Sequence, residues 1–169
     1  MSKVIWAPWR MEFIEGKSPG FEGCVFCHHR DLSRDEFSRF HVFDSNNNTL
    51  VILNKYPYTN AHLLIIPHSH VSNLEDLDRV EYINLALILK KTIVQVKKAI
   101  NPQGLNVGMN LGASAGAGIA DHLHYHIVPR WEGDNNFMPV IGSTRVMPQY
   151  LNETYEKLLP FLQDICSLD

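Results

Sequence analysis

The hydrophobic residues of this chain follow two spacings, and the longer one predicts helices. From Ser72 to about Ile100, apolar residues return every three or four positions, as on one face of an α-helix. Ser72, followed three residues later by Glu75, predicts a capping box at the start of this helix. Residues 101–104, Asn-Pro-Gln-Gly, predict its end. A second helix is predicted from about residue 149 to residue 162.

Shorter apolar runs bounded by turn residues predict the strands. Residues 40–44 and 48–53 flank an asparagine-rich turn and form a predicted hairpin. Residues 62–67 and 105–111 predict two further strands, and residues 121–129 predict a fifth that ends at a proline. Strands, helix, strands and helix in this order predict an α+β fold with an antiparallel sheet of about five strands.

The predicted fifth strand carries three alternating histidines. His122, His124 and His126 would share one face of the strand, and the apolar residues between them would share the other. Neighbouring histidines would be roughly 6.6 Å apart along the strand and the outer pair roughly 13 Å, whereas a metal–nitrogen bond is only about 2.1 Å. One metal ion can therefore bind two of them but hardly three. This leaves the central imidazole available as a nucleophile or a base.

The segment before the histidines is rich in glycine and other small residues. Residues 108–120 read Gly-Met-Asn-Leu-Gly-Ala-Ser-Ala-Gly-Ala-Gly-Ile-Ala. Such a loop lets backbone N–H groups approach an anion closely, although most glycine-rich connections between strands are simply turns. Next to three histidines, the loop favours a phosphate group held beside an imidazole.

Composition and charge restrict the class of protein. The chain has 169 residues, of which 45% are hydrophobic and 20% charged, as expected for one soluble globular domain. The net charge of −3 gives no general attraction to nucleic acid or to an anionic membrane, so neither is a predicted partner. Without a recognisable export signal or a long apolar run, the predicted location is cytoplasmic.

Cys24 and Cys27 have several possible uses. Three cysteines without an export signal do not favour disulfides. The sequence Cys-Val-Phe-Cys-His at residues 24–28 fits half of a zinc site, and it also fits covalent haem attachment, which takes place outside the cytoplasm. A redox pair would favour a strand–helix–strand context that is not evident here. The remaining alternative is two small buried thiols.

Residues 122–128, His-Leu-His-Tyr-His-Ile-Val, resemble the signature of the histidine-triad superfamily of nucleotide hydrolases and transferases. Residues 53–67 resemble its nucleoside-binding strand, turn and upstream histidine, so the resemblance covers most of the chain. Residues 129–138, with Trp-Ala-Pro-Trp-Arg at 6–10, are similar to a prokaryotic branch of the family. That branch contains diadenosine tetraphosphate phosphorylases and dinucleoside polyphosphate hydrolases.

The resemblance implies one domain and a partner. The domain would comprise an N-terminal arm over residues 1–22, a core over 23–132 and a C-terminal extension over 133–169. The arm has three predicted aromatic anchors, Trp6, Trp9 and Phe13. Because family members commonly pair through the sheet and the long helix, a homodimer is implied.

The resemblance also implies a mechanism for a dinucleoside polyphosphate or other nucleotide substrate. His124 would attack the α-phosphorus and form a nucleotidyl-histidine intermediate, and phosphate or water would then accept the nucleotidyl group. His126 would donate to a phosphoryl or leaving-group oxygen, and His62 would hold the imidazole array. Asn54 would bind the ribose, although it could equally be an ordinary turn residue. The residues predicted to stabilise the phosphoryl charge are Asn110, Gly116, Ala117 and Gly118.

A structural zinc ion is implied as well, and no organic cofactor. The ligands carried over from zinc-bearing relatives are Cys24, Cys27, His70 and His122. The alternative ligands are His68, His28 and His29.

One difference from the family pattern helps to choose between branches of the family. Triphosphate hydrolase relatives carry a glutamine or serine shortly before the triad, where this chain has Gly118 and Ile119. This favours the phosphorylase-like branch. The competing hypotheses are a hydrolase in which zinc at the triad activates water, a nucleoside phosphoramidate hydrolase, and a nucleotide-binding signalling module with little turnover.

Overall fold

The computed structural model describes residues 23–134 and 149–167. The predicted arm with Trp6, Trp9 and Phe13 lies outside these residues, as does part of the predicted extension. The described helices are α1 (Val25–Arg30), α2 (Phe37–Phe40), α3 (Arg79–Ile100) and α4 (Leu151–Leu162). The described strands are β1 (Val42–Asn46), β2 (Thr49–Leu53), β3 (Leu63–Pro67), β4 (Gly104–Met109) and β5 (Tyr125–Arg130). None of the described helices is long and apolar enough to cross a membrane.

The five strands form one antiparallel sheet in the order β1-β2-β3-β5-β4. The predicted α+β fold with five antiparallel strands is thereby confirmed. Strand β5 lies between β3 and β4, where His126 is opposite Leu64 on one side and Gly108 on the other. The last histidine of the triad is therefore held in the interior of the sheet.

One side of the sheet, here called the helix face, is covered by α3 and α4. Its apolar cluster includes Leu63 and Ile65 from β3, Leu85 and Ile88 from α3, and Leu158 from α4, all fully buried. Burial of this many large apolar side chains is the main source of stability in a domain of this size. The helix face is therefore the hydrophobic core of the domain.

The other side, here called the histidine face, has a smaller apolar cluster. Its buried members include Phe26 from α1, Leu50 and Ile52 from β2, and Leu64 from β3. Leu64 shares this face with His126, its partner across β3 and β5. Because both faces are covered, every residue of β2 and β3 is buried, which explains their unbroken apolar sequences.

The predicted start of the long helix is wrong by seven residues. Helix α3 begins at Arg79, and the carboxylate of Asp78 caps it by accepting from the amides of Val80 (2.7 Å) and Glu81 (3.0 Å). Residues Leu74–Asp76 form only a short 3₁₀ turn, so the capping box predicted at Ser72 does not start the helix. The predicted end is confirmed, since Asn101 leaves the helix in a left-handed conformation at φ 42°.

The predicted first strand also begins too early. Phe40 belongs to α2, and His41 reverses the chain at φ 57° before β1 starts at Val42. The sequence pattern predicted neither α1 nor α2. The hairpin turn itself is as predicted: Asn47 (φ 46°) and Asn48 (φ 58°) both have the positive φ that a tight hairpin turn requires.

The triad strand is shorter and later than predicted. Strand β5 starts at Tyr125, so His122 and His124 lie in the segment that enters it. Pro129 does not end the strand, because it is paired with Leu105 of β4. Strand β5 pairs with β3 only as far as Ile127. At Pro129 the strand therefore has a paired neighbour, β4, on one side only, where a residue without an N–H is tolerated.

The segment after α4 is anchored to the first hairpin. The buried carboxylate of Asp44 accepts from the amide of Cys166 at 2.8 Å, and the side-chain amide of Asn47 donates to the carbonyl of Cys166 at 2.6 Å. Lys91 donates to the carbonyl of Ser167 at 2.6 Å. The predicted C-terminal helix is present from Leu151, two residues later than expected, and its end at Leu162 is as predicted.

Candidate active site

The three triad histidines are all buried, with exposed fractions of 1% for His122, 5% for His124 and 9% for His126. His126 is on β5, and the other two are on the segment that leads into it. Phe26 of α1 packs its ring edge-on against His122 (5.4 Å) and His124 (5.1 Å). Helix α1 therefore closes this part of the histidine face from above the sheet.

His124 has one ring nitrogen engaged. Its Nδ1 lies 2.9 Å from the carbonyl oxygen of His122. A carbonyl can only accept, so Nδ1 carries the proton and Nε2 carries the lone pair. Within residues 23–134 and 149–167 no group hydrogen-bonds Nε2. Burial lowers the pKa of His124 below the usual value, which keeps the ring neutral at neutral pH.

His126 receives its orientation through His62. The backbone N–H of Tyr58 donates to Nδ1 of His62 at 3.0 Å, so the proton of that ring is on Nε2. Nε2 of His62 then donates to Nδ1 of His126 at 2.9 Å, which places the proton of His126 on Nε2. Among the described residues this Nε2 is buried without a partner. Burial, and next the neighbouring His124, lower the pKa of His126 to about 4.

His124 and His126 are therefore adjacent rings in opposite tautomers, each with Nε2 unengaged among the described residues. Their ring centroids are 4.8 Å apart, His124 offers a lone pair and His126 offers an N–H. One ring can attack an electrophile while the other donates to an oxygen bound to the same electrophile. The orphaned N–H of His126 indicates an acceptor supplied by a ligand, since buried polar groups are rarely left unpaired.

The four predicted zinc ligands come together a short distance away. Cys24, Cys27, His70 and His122 each contribute one ligand atom, and these atoms all lie within 4.8 Å of one another. Sγ of Cys24 is 3.3 Å from Nδ1 of His122, and Sγ of Cys27 is 3.4 Å from Nδ1 of His70. In a tetrahedral zinc site with bonds of about 2.1 to 2.3 Å, ligand atoms are about 3.5 to 3.8 Å apart. The four residues thus fit one tetrahedral metal ion.

The protonation of His122 suits a metal ligand. Its Nε2 lies 2.9 Å from the carbonyl oxygen of Pro67, so Nε2 carries the proton and Nδ1 has a lone pair directed at the cysteines. A second hydrogen bond of this kind is usual for histidines bound to metals. Two thiols and two imidazoles form a complete, closed ligand set that includes neither His124 nor His126.

The alternative ligands lie elsewhere. Nε2 of His68 contacts the hydroxyl of Ser45 at 3.1 Å. The rings of His28 and His29 pack against Phe40 at 5.5 and 5.3 Å. None of the three joins the group of four ligand atoms.

Asn54 is close to the histidines but is engaged in its own loop. Its side-chain amide donates to Nδ1 of His62 at 3.2 Å, and its oxygen accepts from the amide of Tyr56 at 2.9 Å. Asn54 therefore supports the loop between β2 and β3. The amide keeps a second N–H and a second oxygen lone pair for a ligand.

Two amides of the glycine loop are engaged within the loop itself. The amide of Gly116 donates to the carbonyl of Ala113 at 2.9 Å, and the amide of Ala117 donates to the carbonyl of Gly112 at 3.4 Å. Among the backbone contacts of residues 23–134, the amide of Gly118 has no such acceptor. Asn110 borders the loop, since a Cβ at Gly116 would lie 3.7 Å from its side-chain nitrogen.

Three contributors to the site were missed by sequence reasoning. Tyr58 fixes the tautomer of His62 through a backbone amide, which any residue except proline could supply, so the residue type gives no signal. Phe26 lies between Cys24 and Cys27 in the sequence. Its contact with the triad depends on helix α1, which the sequence pattern did not predict. Glu81 is a charged residue on the buried side of α3. The helical spacing of the sequence places it on that apolar side, so periodicity could have identified it.

Sequence comparisons identify relatives of this chain. The family model for the HIT domain matches residues 37–133. The chain is 38% identical over 157 residues to a Mycobacterium tuberculosis protein named AP-4-A phosphorylase, across 89% of this chain and 79% of that protein. It is 32% identical over 134 residues to an uncharacterised HIT-like protein of Saccharolobus solfataricus, across 77% of this chain and 93% of that protein.

Solved structures with the same fold include two histidine-triad proteins. One is a hypothetical histidine triad nucleotide-binding protein of Sulfolobus tokodaii, with 31% identity and a TM-score of 0.63 over 85% of this chain and 91% of that one. The other is a zinc-bound histidine triad family protein of Mycobacterium smegmatis, with 26% identity and a TM-score of 0.64 over 85% and 95%.

Proposed function

The chain belongs to the HIT domain family, and from this premise we propose that it cleaves dinucleoside polyphosphates by transferring a nucleotidyl group to His124. The observation that carries the proposal is the pair of opposite tautomers in adjacent rings, with a lone pair on Nε2 of His124 and an N–H on Nε2 of His126. The name of the 38% identical mycobacterial relative, AP-4-A phosphorylase, supports diadenosine tetraphosphate as the substrate to test first.

In the first step, Nε2 of His124 attacks the α-phosphorus of the substrate and forms a P–N bond. The bond from phosphorus to the bridging oxygen breaks, and the oxygen leaves with the rest of the polyphosphate. The N–H of His126 donates to that oxygen and stabilises the leaving charge. The step splits one difficult displacement into two easier ones, as covalent catalysis does generally.

In the second step, an oxygen of the acceptor attacks the same phosphorus and the P–N bond breaks. Nε2 of His124 regains its lone pair, and the N–H of His126 again donates a hydrogen bond to an oxygen on the phosphorus. Inorganic phosphate attacks through an oxyanion and loses no proton, whereas an attacking water releases its proton to the solvent. With inorganic phosphate as the acceptor the product is a nucleoside diphosphate, and with water it is a nucleoside monophosphate. The similarity to a phosphorylase favours phosphate.

The surrounding residues have supporting roles in this proposal. His62 holds His126 in the donating tautomer, as the chain of hydrogen bonds from Tyr58 requires. Asn54 binds the ribose with the donor and acceptor capacity that its loop leaves unused. Asn110 and the loop of Gly116, Ala117 and Gly118 receive the phosphoryl oxygens, with the amide of Gly118 as the available backbone donor.

A zinc ion bound by Cys24, Cys27, His70 and His122 would have a structural role. The ligands come from α1, from the turn after β3 and from the segment before β5, so the ion would connect three parts of the histidine face. A closed set of four protein ligands leaves no position for an activated water. His122, separated from His124 by one residue, would thereby fix the start of the catalytic segment.

A homodimer is part of the proposal. Helix α3 has a second apolar stripe that points away from the core and is exposed, formed by Val80, Ile83, Leu87 and Val94. On the neighbouring edge of the sheet, β4 pairs only with β5 among the described strands, and Val107 on β4 is exposed. Pairing of two copies through these surfaces would bury both. Sedimentation should give a dimer for the wild type and a monomer for Leu87→Glu, and a monomeric wild type would contradict the dimer.

A product assay tests the reaction and its acceptor together. Purified protein is incubated with diadenosine tetraphosphate with and without inorganic phosphate, and the nucleotides are separated. Phosphate-dependent formation of adenosine diphosphate is expected. Adenosine monophosphate in both samples would show that water is the acceptor, and the absence of any product would overturn the proposed activity.

Trapping of the intermediate tests the covalent step. Brief incubation with substrate labelled at the α-phosphate should attach label to the protein through a phosphoramidate, which is lost in acid and stable in base. His124→Ala should remain unlabelled. Rapid turnover of the wild type without any trapped label at the shortest times would favour direct attack by the acceptor.

A further inference from the structure

The turn that carries His70 is held from two directions. From the triad segment, Nε2 of His122 donates to the carbonyl of Pro67 at 2.9 Å, and the amide of Leu123 donates to the carbonyl of Val71 at 2.7 Å. From helix α3, the carboxylate of Glu81 accepts from the amide of Ser69 at 2.8 Å and also from the hydroxyl of Ser69. Glu81 is thus the side chain that links the helix to this turn.

Glu81 is an unusual residue in its surroundings. It is 2% exposed and lies on the buried side of α3, in line with Leu85 and Ile88. Burial of a carboxylate is costly unless hydrogen bonds compensate for the lost water, and both of its oxygens are bonded by Ser69. Its place in the first turn of the helix adds a favourable interaction with the helix dipole. A buried acid held in this way at the back of a ligand-bearing turn requires an explanation beyond packing.

His70 depends on its backbone more than the other three candidate ligands do. It is exposed, and its one hydrogen-bonding contact among the described residues is the 3.4 Å approach of Nδ1 to Sγ of Cys27. His122 is oriented by Pro67, whereas the ring of His70 has no partner among the described residues to orient its Nε2. The ring also packs edge-on against His122 at a centroid distance of 5.0 Å. The place from which the His70 side chain starts is set by the backbone of the turn, which Ser69 holds beside it.

We propose that Glu81 is a positioning residue for the metal site, which fixes the turn through Ser69 so that Nδ1 of His70 points at Cys27. The inference rests on the proposed zinc site and adds a residue that does not touch the ion. Hydrogen bonds made directly to metal ligands typically change metal affinity by about 10- to 100-fold. Because Glu81 acts through one intervening residue, we expect the lower end of that range.

The test compares zinc affinity across matched variants by competition with a chromophoric chelator. Glu81→Ala should bind zinc about tenfold more weakly than the wild type, and Ser69→Ala, which removes the hydroxyl but keeps the amide, should be weakened less. Glu81→Gln keeps an acceptor for the amide of Ser69 and should restore most of the affinity. The rise in melting temperature on adding zinc should shrink in the same order.

Two controls separate positioning from general stability. Thr92→Val removes a buried hydroxyl from the same helix and should lower the melting temperature with zinc affinity unchanged. Within residues 23–134 and 149–167, this hydroxyl bonds only the carbonyl of Ile88. Ser33→Ala breaks a serine–glutamate pair with the same two contacts, to Glu36 on the surface, and should leave zinc binding unaffected.

The outcomes distinguish this inference from the proposed zinc site. If the wild type binds no zinc, the site itself is wrong. If the wild type binds zinc and both Glu81→Ala and Ser69→Ala bind it equally well, the positioning role of Glu81 is overturned. Should Glu81→Ala fail to fold, Ser69→Ala decides. Equal weakening in Glu81→Gln and Glu81→Ala would show that charge, and not hydrogen-bond geometry, is what matters.

Discussion

The two faces of the sheet differ in what they bury: the helix face buries the hydrophobic core, and the histidine face buries the histidines of the candidate site. On the helix face, Leu63, Ile127 and Leu158 belong to a continuous cluster made up mainly of aliphatic side chains. On the histidine face, Leu64 lies beside His126 and the apolar cluster is about half as large. Since successive residues of a strand point to opposite faces, β3 and β5 supply both surfaces from one short sequence each.

This difference shows how a small domain can keep imidazoles neutral and oriented inside it. The helix face supplies the burial of apolar area that stabilises the fold. The histidine face can then bury polar rings, each held by a hydrogen bond to a carbonyl or to another ring, with one N–H left unpaired. The predicted consequence is that changes on the two faces separate activity from stability.

Removal of the proposed nucleophile should give the largest effect. His124→Ala should lower kcat/KM for diadenosine tetraphosphate by about 10⁴-fold or more, because loss of a nucleophile removes the covalent route entirely. Zinc content, measured by atomic absorption, should stay at the wild-type level. Loss of zinc together with activity would instead favour a hydrolase that uses the metal to activate water.

Removal of the proposed hydrogen-bond donor to the leaving group, His126, should give the next largest effect, and the effect should depend on the substrate. His126→Ala should lower kcat/KM for diadenosine tetraphosphate by about 10²- to 10⁴-fold. The loss should be much smaller for the 4-nitrophenyl ester of adenylate, whose leaving group needs no proton. Equal losses for the two substrates would place His126 in a role other than donation to the leaving oxygen.

A matched pair of leucines compares the faces directly. Leu158→Ala on the helix face should lower the free energy of unfolding by about 3 kcal/mol, because it leaves a cavity in the core. Well below its melting temperature, its kcat/KM should remain within about twofold of the wild type. Leu64→Ala, beside His126, should lower both stability and kcat/KM. If kcat/KM falls equally in the two variants, the separation of tasks is wrong.

The smallest expected effect is on how folding stability depends on pH, through His29 beside the histidine face. Burial, followed by the neighbouring His28 and Lys55, lowers the pKa of His29 to about 4, against about 6.5 in the unfolded chain. Between these values the unfolded chain binds a proton that the folded protein does not, so stability is lost as the pH falls from 6.5 toward 4. This group should contribute about 2 kcal/mol to that loss.

Replacement of His29 by phenylalanine should therefore reduce the acid loss by about 2 kcal/mol, and the ring can still pack against Phe40. Urea unfolding at pH 7 and pH 4.5 measures the difference, and the other histidines are common to both proteins. An identical loss in the variant and the wild type would show that His29 is not buried as a neutral group.

The fold was largely predictable because the spacing of apolar residues, which distinguishes helices from strands, can be read from a single sequence. The apolar runs of β2 and β3 and the helical spacing of α3 were recognised, and the family resemblance to the residue 122–128 motif is confirmed by the match over residues 37–133. The start of α3 was mistaken because Ser72 and Asp78 are both good caps, and only the structure shows which one the helix amides reach. Helices α1 and α2 are too short for periodicity to show.

The candidate site was predictable in its residues but not in its hydrogen bonds. The convergence of Cys24, His70 and His122, up to 98 positions apart, came from resemblance, because no local pattern joins such distant residues. The tautomers of His62 and His126 depend on the amide of Tyr58, whose side chain is irrelevant to that contact. The roles assigned to the site residues stay predictions until the variants above are measured.

The contacts of Cys166 give the C-terminal segment a practical significance for anyone shortening the chain. A protein cut after Gln163 would keep α4 but would lose two hydrogen bonds to Cys166. The carboxylate of Asp44 would lose the amide that donates to it, and the side-chain amide of Asn47 would lose the carbonyl that accepts from it. The first hairpin would then hold an incompletely solvated anion in its interior. Truncation for crystallisation or tag placement should therefore preserve these last residues, although they look like a dispensable tail.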